Sequence, residues 1–332
     1  MKYLVVLAAV CLLIVPSQLY GQQISPNPNP AGNTITVDTS GAYNESDFFL
    51  NNGTIDITND GELDNYETLT NNNVLTNDGL LNNWKFLTNY GTMNNNYGSK
   101  IENRATGNLF NDGTIAIAGT LVNSGTWNNS GLLINSGMLT NVGTLTNERS
   151  GTLTNNGTMD TTYAYFVNNG LLNGSGHIIG SYTDHGITKP GNSSGVMTID
   201  GDYFKRAGSK EIELGGLFDG DGYNSLTEFD WIDVTGNVEL AGLLNVELID
   251  GFELHRGNWF EILRVGGTLT GQYDGLGEGD LVGHFGGQDL FITYGGGDGN
   301  DVALFTNAVP EPTTVLIWSM LAGLGMTVRR RR

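Results

Sequence analysis

The chain has one cysteine, four histidines and seven prolines in 332 residues, and only 15% of its residues are charged. The single Cys11 excludes intramolecular disulfides. The four histidines, His177, His185, His255 and His284, show no zinc-ligand spacing, so each is expected at the surface. Basic residues are scarce, 15 against 35 acidic. The basic face that a nucleic-acid partner requires is therefore missing. No G-x-S-x-G occurs, so the nucleophile elbow of the common hydrolases is also absent. Long helices are disfavoured because glycine, 49 residues, and asparagine are both abundant and both weak helix formers. Disorder is disfavoured too, because 39% of the residues are hydrophobic.

What the chain does have is a repeat. Leu63, Leu69, Leu75, Leu81, Leu87 and Met93 recur every six residues, and so do Leu109, Ile115, Leu121, Trp127, Leu133, Leu139 and Leu145. Asparagines precede them at a fixed offset: Asn59, Asn65, Asn71, Asn77, Asn83 and Asn89, then Asn123, Asn129, Asn135 and Asn141. A six-residue step on a helix rotates each leucine to a new side, so no apolar face forms. On a strand an even step keeps every leucine on one face. The interruptions agree. Ile55 to Leu63, Met93 to Ile101, Ile101 to Leu109 and Leu145 to Leu153 are steps of eight, never of an odd number. The added residues carry charge (Lys100, Arg104, Glu148, Arg149), as bulges at exposed corners would.

The expected fold is all-β, a parallel β-helix, or β-solenoid. Each hexad forms one side and three hexads one coil, rising about 4.8 Å per coil. The leucines fill the axis. The asparagines share their parity and should stack coil upon coil as amide ladders. The glycine of each Asn-x-Gly is expected to supply a positive φ at the corner. The period alone does not fix handedness: hexads hint at a left-handed coil, whereas the general look of secreted repeats favours a right-handed one.

The expected organisation is a signal peptide at 1–21, an N-terminal cap at 22–50, the hexad solenoid at 51–180, a C-terminal β-helix and capping region at 181–309, and a sorting tail at 310–332. Residues 1–21 place Lys2 before an apolar stretch and small residues, the pattern of a secretory signal. The other end reads Val309-Pro310-Glu311-Pro312, an apolar run at 314–328, then Arg329, Arg330, Arg331 and Arg332. The run is short for a membrane-spanning helix, and the arginines should stay on the cytoplasmic side. In that order the three parts resemble the PEP-CTERM sorting signal of Gram-negative bacteria. The resemblance implies an exosortase-type membrane protease as partner. It also implies a transient inner-membrane anchor through a terminal transmembrane helix, cleavage near Pro310, and delivery to the cell surface or an exopolysaccharide matrix. Without the two ends the chain keeps 10 basic and 34 acidic residues.

Beyond residue 189 the pattern lengthens, with strand-like runs at 196–204, 211–214, 231–235, 238–248, 259–265, 289–294 and 302–305. Pro190-Gly191-Asn192-Ser193, Ile199-Asp200-Gly201-Asp202-Tyr203, Phe229-Asp230-Trp231-Ile232-Asp233-Val234-Thr235-Gly236 and Gly296-Gly297-Asp298-Gly299-Asn300-Asp301-Val302 resemble the terminal β-helix of autotransporter-type, adhesin-like passengers. That resemblance implies further stacked coils with closing strands as a cap. No membrane β-barrel follows, and the C-terminal tail stands in its place.

Residues 296–304 also fit one copy of the calcium-binding nonapeptide G-G-x-G-x-D-x-U-x, so Asp298, Asn300 and Asp301 are the metal candidates, and calcium is the one cofactor they suggest. The motif shares ligands between tandem copies, and the stronger reading of a single copy is a glycine-rich turn before the last strand. Asp219-Gly220-Asp221-Gly222 lacks the further ligands of an EF-hand loop. No spacing gathers an acid, a base and a nucleophile. The sequence therefore reads as a non-catalytic surface or matrix protein with a structural or adhesive role, a neutral exopolysaccharide being its expected ligand. The alternative is a β-helical polysaccharide lyase or glycosidase, which would need clustered carboxylates and a Lys or Arg base in a groove.

Overall fold

A computed structural model describes residues 22–38, 41–44, 47–220 and 227–307. The fold is a parallel β-solenoid with three faces, and among the described residues there is no helix. The first face starts with Thr34–Val37, the second with Ala42–Asn44 and the third with Phe49–Asn51. Every third strand up to Leu269–Gly271 returns to the same face, and the last three strands all join the second, giving sheets of 11, 14 and 11 strands. Val74 pairs with Thr92 and Thr126 with Thr144, so three hexads make one coil. The signal segment, the sorting tail and the expected transmembrane helix lie outside the described residues.

The leucine slots point to the axis and are fully buried, and Trp127 occupies the same slot as its leucine neighbours. The steps of eight keep this parity. Their extra residues form turns closed by backbone bonds from Gly61 N–H to Thr58 C=O, Ser99 to Asn96, Gly107 to Arg104 and Gly151 to Glu148. Asn59 has the expected spacing but sits exposed in the first of these turns, and Ile57 fills the inward slot.

The asparagines form ladders as expected. On the third face each Nδ2 donates to the Oδ1 of the next coil: Asn29 to Asn51, then Asn71, Asn89, Asn111, Asn129, Asn147 and Asn168, at 2.7–2.8 Å throughout. A second ladder runs from Asn44 through Asn65, Asn83, Asn103 and Asn123 to Asn141. Among the described residues the first face has only two rungs, Asn77 to Asn95 and Asn135 to Asn155. Ile117 takes the slot between them, and the Oδ1 of Asn135 is accordingly left without a donor. The second amide hydrogen goes to a backbone carbonyl across the corner, as from Asn71 to Thr92 and Asn111 to Leu132. Only an amide offers the acceptor and both donors that this slot uses.

The glycine of Asn-x-Gly has a different role from the one expected. These glycines do not adopt positive φ. A Cβ on Gly131 would lie 2.1 Å from the Gly113 carbonyl oxygen, and one on Gly125 2.1 Å from that of Gly107. The residue must be glycine because backbones of successive coils approach too closely at the corner for a side chain.

The stack continues past residue 180 without a break in any face. The runs expected as single strands at 196–204 and 238–248 are each divided: Val196–Asp200 from Tyr203–Lys205, and Val238–Leu240 from Leu243–Leu248. A coil must still turn its corners, and Gly242 does so at φ 77°. The end is closed by a change of strand direction. Trp259–Val265 pairs parallel with Trp231–Val234 but antiparallel with Asp301–Thr306, which continues antiparallel to Gln288–Gly296 and then Leu281–Phe285.

Replacing a central rung tests the ladder. Asn111→Ile leaves the Asn129 oxygen without its donor and Asn89 with only the Gly91 and Thr114 carbonyls as acceptors, at a cost of about 1–3 kcal/mol for the unpaired oxygen. Asn111→Asp adds a buried charge facing the Asn129 oxygen. In denaturant melts at neutral pH the Asp variant should be the less stable of the two, and the gap should narrow in acid. Equal stability of the two at neutral pH would rule out the donor role.

Candidate functional site

The nonapeptide residues come together at the C-terminal cap. Asp301 Oδ1 accepts the Val265 N–H at 2.7 Å, and Asn300 Nδ2 donates to the carbonyls of Val265 (3.0 Å) and Gly267 (2.6 Å). These bonds pin the hairpin end onto the last corner of the solenoid. The Asp298 N–H reaches Asp301 Oδ2 at 3.4 Å. Burial and the neighbouring Glu261 carboxylate push the Asp301 carboxyl up. Among the described residues no three His, Cys, Asp or Glu side chains converge in a way that could hold a metal ion. The histidines are half-buried or exposed; His177 pairs with Asp200 and His284 with Asp289. Val309, Pro310, Glu311, Pro312 and Arg329 to Arg332 lie outside the described residues. Among those described, no helix is long and apolar enough to cross a membrane.

None of the sequence expectations included buried charge. The third-face ladder ends on Asp184, whose Oδ1 accepts Asn168 Nδ2 at 2.8 Å. Every amide in the ladder turns its N–H end toward this carboxylate, so the aligned dipoles favour a negative charge there. The other oxygen accepts from Thr188 (2.6 Å), Tyr203 (3.1 Å) and the fully buried Lys205 (2.7 Å). Lys205 also donates to the carbonyls of Gly186 and Ser209, which accounts for all three ammonium hydrogens. The spacing of Asp184 after Asn168, one shortened coil on, was the available signal.

Further along the axis Lys210 occupies a former leucine slot, between Thr188 and Leu244. It makes one bond, to the Ile262 carbonyl at 3.0 Å. Burial, helped by Lys205, lowers it to about 7. Asp230 accepts N–H bonds from Gly195 and Glu213, yet burial outweighs these donors and raises it to about 8.

On the outside, the residue following each second-face ladder asparagine forms a column. Tyr66 and Trp84 stack at 6.0 Å, and the Arg104 guanidinium lies 4.9 Å over Trp84. Asp64 accepts from Tyr66 Oη, Trp84 Nε1 and Asn82, and Arg104 donates to Asn82 at 2.8 Å. The ring faces and polar groups of this column largely engage one another, so it works as a corner staple. The fixed offset from Asn65, Asn83 and Asn103 would have revealed it.

A hollow of about 310 Å³ on the first face gathers Lys189, Glu211, Glu213 and Glu247. Lys189 bonds Glu213 at 2.5 Å, which raises its ammonium above the usual lysine value. The sequence matches no known protein-family model and no curated protein.

The two buried groups give a pH signature. Asp230 binds its proton more tightly when folded, so stability falls as pH rises from about 4 to about 8. Lys210 binds its proton less tightly when folded, so stability rises from about 7 to about 10.5. Melting temperature should therefore pass through a minimum between about pH 7 and 8. Asp230→Asn should flatten the acid limb and Lys210→Met the alkaline limb; limbs that persist in both variants would assign the dependence to other groups.

Proposed function

We propose that the protein is a non-catalytic, exported surface or extracellular-matrix protein that presents a long repetitive face to neutral exopolysaccharide. The observation that carries this reading is the regular recurrence of uncharged polar side chains at outward positions. Thr126 and Thr144 stack on the third face; Thr120 and Thr158 stand on either side of Met138 in one second-face column. A polymer lying along the axis meets such groups in several successive coils, interrupted by Phe86, Met138 and Tyr165, so weak contacts add through avidity. The acidic balance of the body disfavours anionic polymers unless cations bridge.

The address belongs to the same reading. Residues 1–21 direct export. Val309 to Pro312, the apolar run 314–328 as a transmembrane helix, and Arg329 to Arg332 form the signal for an exosortase-type membrane protease, with a passing inner-membrane anchor. The coil is taken as right-handed, in keeping with secreted repeats.

The polysaccharide lyase or glycosidase alternative has its best location in the Lys189 hollow. A general base must be deprotonated at working pH, and the bond to Glu213 moves Lys189 the other way.

Two experiments test the reading. Purified protein offered to neutral and acidic polysaccharides, with and without calcium, should retain neutral chains without shortening them. Chain cleavage that a carboxylate variant abolishes would establish an enzyme instead. Mass spectrometry of surface-associated protein should find a C-terminus near Pro310, and deletion of 309–332 should release the protein. A surface species that keeps Arg329 to Arg332 would contradict processing.

A further inference from the structure

We propose that a groove on the third face, at its corner with the first, is a discrete subsite for a short run of neutral pyranose units; it deepens the polysaccharide reading above. The groove has a volume of about 720 Å³. It lies where the turn at 148–151, one of the two-residue insertions, borders the outward row of the third face. Phe110 and Asn128 lie side by side in neighbouring coils on the floor. Ser130, Glu148, Arg149 and Asn169 line the corner side.

The polar groups here are uncommitted. The inward asparagines each make two to four hydrogen bonds within the protein, as Asn89 does in accepting from Asn71 and donating to Gly91, Asn111 and Thr114. The side chains of Asn128, Ser130, Glu148, Arg149 and Asn169 make no hydrogen bond or ion pair with the protein, and Glu148 and Arg149 do not pair with each other although adjacent. Elsewhere in the body cations are used up. Lys85, Lys100, Arg104, Lys189, Lys205, Arg206 and Arg264 all pair with carboxylates, and Lys210 is buried. Among the described residues, only Arg149 and Arg256 have neither an acidic partner nor a hydrogen bond.

This set matches a sugar and not another class of ligand. A guanidinium fork donates to two neighbouring hydroxyls, a carboxylate accepts from two, and each amide does one of each. Phe110 offers an apolar surface for the C–H face of a ring. A single guanidinium beside a carboxylate, on a body with 34 acidic residues, does not select a polyanion. The groove spans neighbouring coils, each rising about 4.8 Å, so an extended glycan would run along the axis with successive sugars meeting successive coils.

The test uses purified full-length protein and glucose, galactose and mannose tetrasaccharides, which are too short to gain from avidity. At least one should shift the side-chain amide signals of Asn128 and Asn169 in nuclear magnetic resonance spectra. Arg149→Ala and Asn128→Ala should each weaken its binding by about tenfold or more. Tyr97→Ala, at the corner between the first and second faces, should bind as the wild type does, and melting temperatures should confirm that all variants fold. Variants that bind as tightly as the wild type, or no shift with any tetrasaccharide, would overturn the groove assignment; retention of long neutral polymers would then still stand for the extended face. Groove shifts without retention of any polymer would keep the subsite and remove the avidity reading. Stronger binding of a galacturonate tetrasaccharide would overturn the neutral assignment.

Discussion

The structure depends on one constraint: each asparagine rung must find an identical rung one coil above and one below. An amide ladder holds only if the slot recurs at the strand spacing, about 4.8 Å, and at the same lateral position. From this follow the fixed corner, the close backbone approach at Gly125 and Gly131, and the confinement of insertions to turns that do not disturb the slot. Where the chain departs, the departure is visible at once. Ile117 breaks the first-face ladder, and the next rung, Asn135, carries an unpaired oxygen.

Parity made the architecture legible. An even spacing places Leu109, Trp127 and Asn111 inward whatever the local propensities, and the steps of eight announced turns that the backbone closes with bonds such as Gly151 to Glu148. Asn-x-Gly was legible as a corner, but the reason for its glycine was not. Positive φ is a property of one residue, whereas the contact between Gly131 and the Gly113 carbonyl involves two coils and requires the stack to be known. Asn59 misled for a related reason: offset alone cannot distinguish a rung from a turn residue inside an insertion.

The C-terminal half was less legible because its slots change chemistry without changing position. Asp184 replaces an amide at the end of a ladder, Lys205 neutralises it, and Lys210 stands where a leucine did. Removing one partner of such a buried pair costs about 3–5 kcal/mol, more than the pair contributes against an apolar replacement. Its value lies in termination: a carboxylate accepts the last amide and offers no N–H to a following rung, so the ladder has a defined end. Antiparallel strands then close the second face, with Asn300 and Asp301 fastening them to the last corner.

The same residue type serves two purposes on the two sides of one backbone. Asn129, inward, is fully buried and bonded to Asn147, Gly131 and Thr152. The side chain of Asn128, outward and next to it in sequence, bonds to nothing in the protein. Alternation makes this separation automatic, so a sequence can vary its outer asparagines, threonines and aromatics without touching the ladders that hold the coils together. It also explains why a recognition surface could hardly be read from the sequence. The groove at Phe110, Asn128 and Arg149 draws on four coils, and its members are brought together only by the stacking that the inner residues enforce.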